Sequence, residues 1–195
     1  MVRPREFDAD DVEDALLDVF WSRGYARTSI DELTRATGLL RGSLYAAYDG
    51  KEAMFRAATR RYVAQLTTAL ASEKTGLDGA RHVLDTIVRL TARDPARRGC
   101  LILNAIPESH ALSAGTREEL HAGLRSMQAL LRARVREAQA DAGTALDLEP
   151  LVALLFAASV AIRVLGRAGG ERRLLQNISQ GAIEAARRWF GSAKE

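Results

Sequence analysis

The chain has 195 residues, of which 47% are hydrophobic and 27% charged, the mix of an ordinary soluble globular protein of one or two domains. A single cysteine, Cys100, excludes an intrachain disulfide, and His82, His110 and His121 are scattered, so neither a metal nor a cofactor is expected. The formal charge of +3 is unevenly placed: residues 1–50 hold 6 basic and 10 acidic side chains, residues 51–100 hold 10 and 5.

From Asp11 the apolar residues Val12, Ala15, Leu16, Val19 and Phe20 recur at the spacing of one helix face, and Gly24 supplies a left-handed stop. Thr28-Ser29 followed by Asp31 and Glu32 is a helix start, a hydroxyl cap with an acidic first turn, and this short second helix ends by Gly38. A third short helix runs from about Leu40 to Tyr48. A long fourth one starts near Lys51 and keeps Phe55, Ala58, Tyr62, Leu66 and Leu70 at helical spacing. Beyond Thr75-Gly76 the positions Ala80, Val83, Leu84, Ile87 and Val88 repeat the pattern until Asp94-Pro95 ends it. Arg98-Gly99-Cys100 opens a shorter apolar segment that Pro107 ends or kinks. A long amphipathic helix covers about Thr116 to Ala140, and Glu149-Pro150 starts the most apolar helix, which reaches Gly169-Gly170. The last helix carries Leu175, Ile178, Ala182, Ala185 and Trp189 in a stripe. No run alternates with period two, so the expected fold class is all-α, with about nine helices.

The longest apolar run, Leu151 to Ile162, is interrupted by Arg163 and is too short to cross a bilayer. The start, Met-Val-Arg-Pro-Arg-Glu, lacks the apolar stretch of a signal peptide, so a cytoplasmic protein with no membrane partner is expected.

Residues 15–55 carry the strongest signal. Two short helices joined by a tight turn at Gly38 make a helix-turn-helix, whose second helix fits the major groove of B-DNA. Ile30, Leu33, Ala36, Leu39 and Leu44 would lock the pair together and onto Leu16 and Phe20. Arg41, Gly42 and Ser43 open the second of these helices, where side chains reach base edges and a missing Cβ permits close backbone approach. Arg3 and Arg5, flanking Pro4, are placed to enter an adjacent minor groove. The acidic excess counts against DNA binding, but Asp8, Asp10, Asp11, Glu13 and Asp14 gather at the start of the first helix, where the helix dipole favours them.

The stretch Phe20-x-x-x-Gly24-Tyr25-x-x-Thr28-Ser29-Ile30, then Gly38, Gly42-x-Leu44-Tyr45-x-x-Tyr48 and Lys51-Glu52-x-x-Phe55, resembles the DNA-binding domain of the TetR (tetracycline repressor) family of bacterial regulators. The resemblance implies that Thr28 caps the second helix and touches phosphate, that Tyr45 and Tyr48 reach phosphates, and that Lys51 anchors the fourth helix on the DNA backbone. It also implies DNA binding by residues 1–50, with effector binding and dimerisation by residues 51–195. Three positions depart from the family habit: Leu40 in place of a serine-like cap, Leu33-Thr34 in place of Ile-Ala, and Tyr48 in place of phenylalanine.

One short reading helix binds weakly, so a homodimer on double-stranded operator DNA is expected. Ala153, Leu154, Ala157 and Ala161 of the eighth helix and Leu175, Ile178, Ala182 and Trp189 of the ninth are the candidate dimer contacts. Among the middle helices, Tyr62, Cys100, Leu103, Asn104, Pro107, Leu124 and Met127 are candidates to line a pocket for a small-molecule effector, although each also sits at a core spacing. Gly99-Cys100-Leu101-Ile102-x-Asn104 resembles a segment of a TetR subset that includes electrophile- and oxidant-responsive members, and Arg97 and Arg98 beside Cys100 favour thiolate. A thiol-based sensor through Cys100 is therefore one alternative function, and a helical protein-interaction adaptor another. An enzyme is not expected, because no glycine-rich phosphate loop, paired carboxylate or metal-binding histidine pattern is present. The function expected is a transcriptional regulator, a repressor that leaves a palindromic operator when its effector binds.

Overall fold

The computed structural model describes residues 8–191, so Arg3 and Arg5 lie outside the described residues. Nine α-helices and one 3-10 turn make up the described residues, with no strand among them. They form two compact units, one of residues 8–66 and 101–121, the other of residues 67–100 and 122–191.

In the first unit, α1 (Ala9–Arg23) starts where Asp8 accepts the Asp10 amide and ends where the Gly24 N–H donates to the Phe20 carbonyl. Helix α2 (Ile30–Thr37) opens with a full capping box. Ser29 and Glu32 satisfy each other's amides, and Gly38 closes the helix in the left-handed region at φ 70°. Helix α3 (Arg41–Ala47) has no side-chain cap at Leu40, which stands 80% exposed. A core of Leu16, Phe20, Leu33, Leu44 and Phe55, all buried, holds these helices to the start of α4 (Gly50–Leu70). Phe55 meets Phe20 edge-on at 5.2 Å and Tyr25 at the same separation. Ala36 is exposed, contrary to the periodicity, and Thr37 is buried in its place with its hydroxyl on the Leu33 carbonyl. The unit is completed by α6 (Leu101–Ala105), the 3-10 turn Ile106–Ala111 and the first turns of α7 (Ala114–Ala142). Pro107 thus ends α6 by tightening it into the 3-10 turn.

In the second unit α5 (Gly76–Arg93), α8 (Glu149–Arg167) and α9 (Arg172–Gly191) pack on one another. Gly166 lets α8 pack against α5, because a Cβ there would run into the Thr91 methyl. The Ser179 hydroxyl donates to Asp85 across α9 and α5 at 2.7 Å. By length and composition α8 does reach the range of a membrane-spanning helix, longer than the Leu151–Ile162 run implied, because the helix extends through Arg163. Here Leu151, Val152, Leu155 and Ile162 are buried within the protein.

Candidate nucleic-acid interface

Leu44 is the only buried residue of α3, and its complete burial fixes the helix so that Arg41, Gly42, Ser43 and Tyr45 all face outward. The Arg41 guanidinium sits over the Tyr45 ring, 5.9 Å from its centroid, one turn along the same helix. A Cβ at Gly42 would meet nothing within 4 Å. The protein itself places no demand for glycine there, so the gap is open to an incoming surface. Tyr48 is half-buried, and burial, followed by the charge of Glu13, raises its pKa above the ordinary phenol value.

Lys51 is held more tightly than an ordinary surface lysine. Its ammonium lies 4.5 Å from the centroid of the Tyr25 ring and donates to the Ala26 carbonyl at 3.5 Å. Burial lowers its pKa, opposed by the charges of Glu108 and Glu32. Tyr25 was not among the sequence-derived candidates, yet its ring is the platform for this cation. Two carboxylates tie the surrounding backbone. Glu108, on the 3-10 turn, accepts the Ala26 amide at 2.9 Å. Glu52, the residue after Lys51, accepts the Ser113 amide and the Thr116 hydroxyl at the start of α7, and these bonds hold its pKa below the usual carboxylate range.

Thr28 requires a correction. The cap of α2 is Ser29, while Thr28 is 2% exposed and its hydroxyl donates to the Gly24 carbonyl at 2.7 Å. Two hydroxyls stand side by side in the sequence. The one followed three residues later by glutamate, Ser29-x-x-Glu32, is the cap that the capping-box pattern singles out.

Of the effector candidates, Tyr62 is buried against Trp21 at 5.0 Å, Leu103 and Asn104 are half-buried on α6, and Pro107 is exposed. Cys100 is buried, immediately before α6, while the Arg98 guanidinium is held by Asp94 at 3.3 Å. Leu124 and Met127 are half-buried on α7. Two open grooves run along α9 of the second unit, one at Glu184 to Trp189 and one against Arg81, Asp85 and Arg89 of α5. Neither is lined by an effector candidate. Among the dimer candidates, Leu175 and Ala182 are buried within the chain itself. Ala161 and Ile178 are half-buried, and Ala153, Leu154, Ala157 and Trp189 are exposed. Leu174, another apolar residue expected at that surface, is exposed, and so are Val164 and Leu165, which the sequence did not single out.

Residues 14–58 match the family described as bacterial regulatory proteins, tetR family, and residues 76–182 match the tetracyclin repressor-like C-terminal domain. The HTH-type transcriptional repressor ComR of Escherichia coli (strain K12) is 43% identical over 61 residues, 31% of this chain and 29% of that protein. The HTH-type transcriptional regulator YezE of Bacillus subtilis (strain 168) is 30% identical over 112 residues, 55% of this chain and 58% of that protein. The matches thus span less than two thirds of either curated relative. Among solved structures, a cysteine mutant of the TetR family transcriptional regulator CifR, complexed with 26 bp operator DNA, is 32% identical. It covers 94% of this chain and 99% of its own, with a TM-score of 0.80. A TetR transcriptional regulator from Chloroflexus aurantiacus is 25% identical, over 89% of this chain and 90% of its own, with a TM-score of 0.76.

Proposed function

The chain belongs to the TetR family of bacterial regulatory proteins, and from that premise we propose that it is a ligand-responsive repressor, a homodimer that holds a palindromic double-stranded operator and releases it when a small-molecule effector binds. The observation that carries the reading is the outward row Arg41, Gly42, Ser43 and Tyr45 on α3, beside a Lys51 already mounted on Tyr25. On DNA, α3 enters the major groove with Arg41 and Ser43 toward base edges, while Tyr45, Tyr48 and Lys51 meet phosphates. Thr28 keeps a supporting role, holding the turn before α2 through Gly24. Arg3 and Arg5 extend the contact into the adjacent minor groove. That ComR is named a repressor, and that CifR is complexed with operator DNA, support the same assignment.

Residues 1–50 serve DNA binding and residues 51–195 effector binding and dimerisation. Exposed Ala153, Leu154, Ala157, Val164 and Leu165 lie on one side of α8, and Leu174, Ile178, Ala185 and Trp189 line α9 at helical spacing. Apolar stripes of this extent suit a second copy of the same helices. Tyr62, Leu103, Asn104, Pro107, Leu124 and Met127 are the residues assigned to the effector, an apolar or aromatic molecule. A regulator of chromosomal DNA works in the cytoplasm. The thiol-sensing and adaptor alternatives are not favoured, since Cys100 is buried and the family is one of transcriptional regulators.

Selection of bound duplexes from a random pool tests the reading. Enrichment of a palindrome is expected, whereas recovery of no preferred sequence, or of one without two-fold symmetry, contradicts it.

A further inference from the structure

Glu108 sits far from α3 in sequence, yet its carboxylate reaches the turn between α1 and α2. Oε2 accepts the Ala26 amide at 2.9 Å, and Oε1 occupies space that a side chain on residue 24 would fill, since a Cβ there would lie 2.9 Å away. Gly24 is also at φ +81°, a conformation that L side chains rarely adopt, so this position is glycine for two reasons at once. The other polar group of Ala26, its carbonyl, accepts from the Lys51 ammonium at 3.5 Å. One residue of the turn is therefore gripped from both sides, by a carboxylate on its N–H and by the candidate phosphate anchor on its C=O. The Tyr25 ring under Lys51 belongs to the same turn.

We propose that Glu108 is a positioning residue for operator binding, because its hydrogen bond to Ala26 fixes the turn on which Lys51 is mounted. The inference rests on the operator-binding reading and deepens it. The side chain acts in two opposed ways. Its acceptor oxygen holds the turn and favours binding, while its negative charge lies in the neighbourhood of the cation that phosphate would need. Glutamine keeps the acceptor and removes the charge, and alanine removes both, so the two substitutions separate the effects.

The experiment uses the full chain and two duplexes, a palindrome recovered by the wild-type protein from a random pool and an unrelated sequence, with thermal unfolding as a folding control. Glu108→Ala is expected to weaken binding to both duplexes about five- to tenfold without altering the ratio between them. Glu108→Gln is expected to bind at least as tightly as wild type. In a Lys51→Ala background, Glu108→Ala should have little further effect, because the group it positions has gone. Additive losses in the double variant, Glu108→Ala binding within twofold of wild type, or Glu108→Gln as weak as Glu108→Ala would each overturn the proposal. A wild-type chain that enriches no sequence would overturn the operator reading and this inference with it, whereas normal wild-type selection alongside an unaffected Glu108→Ala overturns this inference alone.

Discussion

The Lys51 ammonium stands over the Tyr25 ring at 4.5 Å from its centroid, so the cation that opens α4 is held in place by the turn that follows α1. A flexible lysine gives up rotamer freedom on meeting phosphate, and a cation already resting on an aromatic face has less to lose. Tyr25→Phe keeps the face and should leave DNA affinity unchanged. Tyr25→Leu removes it and should weaken binding about two- to fivefold, the scale of an exposed cation–π contact. Titration of both variants against one duplex checks the difference.

Arg41 and Leu44 occupy the same short helix and should behave oppositely. Arg41→Ala is expected to leave the unfolding midpoint in place and to relax preference at particular base positions. Leu44 is fully buried, so Leu44→Ala should destabilise the fold by about 2–5 kcal/mol and weaken binding on all sequences alike. Denaturant unfolding beside repeated duplex selection separates the two.

These two residues also mark what local sequence can and cannot reveal. Leu44 and the outward row around it follow from helical spacing within a few residues, as do the stops at Gly24 and Gly38. The Ser29-x-x-Glu32 box was equally legible, though the neighbouring Thr28 drew the capping role. Glu108 on Ala26 and Glu52 on Ser113 join residues distant in the chain, and no local pattern announces such pairs. On α9, Leu174 and Leu175 are adjacent and equally apolar, yet one is 45% exposed and the other 1%. Periodicity over a helix apolar on two sides does not separate the face that meets its own chain from the face left outside.

That separation gives an assembly prediction. Leu154→Glu, on the exposed side of α8, should convert a micromolar dimer to monomer while leaving the helical content intact. Leu175→Ala should instead lower the unfolding midpoint, because it opens a cavity inside the chain. Sedimentation velocity distinguishes the cases, and a wild-type chain that is monomeric at micromolar concentration would remove the proposed interface.

Glu52 supplies a pH prediction. Hydrogen bonds from Ser113 and Thr116 lower its pKa from the ordinary 4.5. A depressed carboxylate contributes stability that is fully present above its unfolded value and is lost as pH falls through the folded one. Asp14, lowered from 3.8 chiefly by its hydrogen bond from Arg61, acts in the same sense. Glu52→Gln should therefore be less stable than wild type near neutrality. The gap should close as pH drops below the ordinary carboxylate range, which urea midpoints across pH 2–7, on the order of the span between carboxylate and neutral forms, would show.

The most direct test of an operator-holding dimer is the salt dependence of binding by wild type and Lys51→Ala on the selected palindrome. Each phosphate contact releases counterions, so loss of Lys51 from both subunits should lower affinity and flatten the slope of log K against log salt by about one per half-site. A Lys51→Ala protein with wild-type affinity and an unchanged slope would contradict the proposed docking of α3 and α4 on DNA.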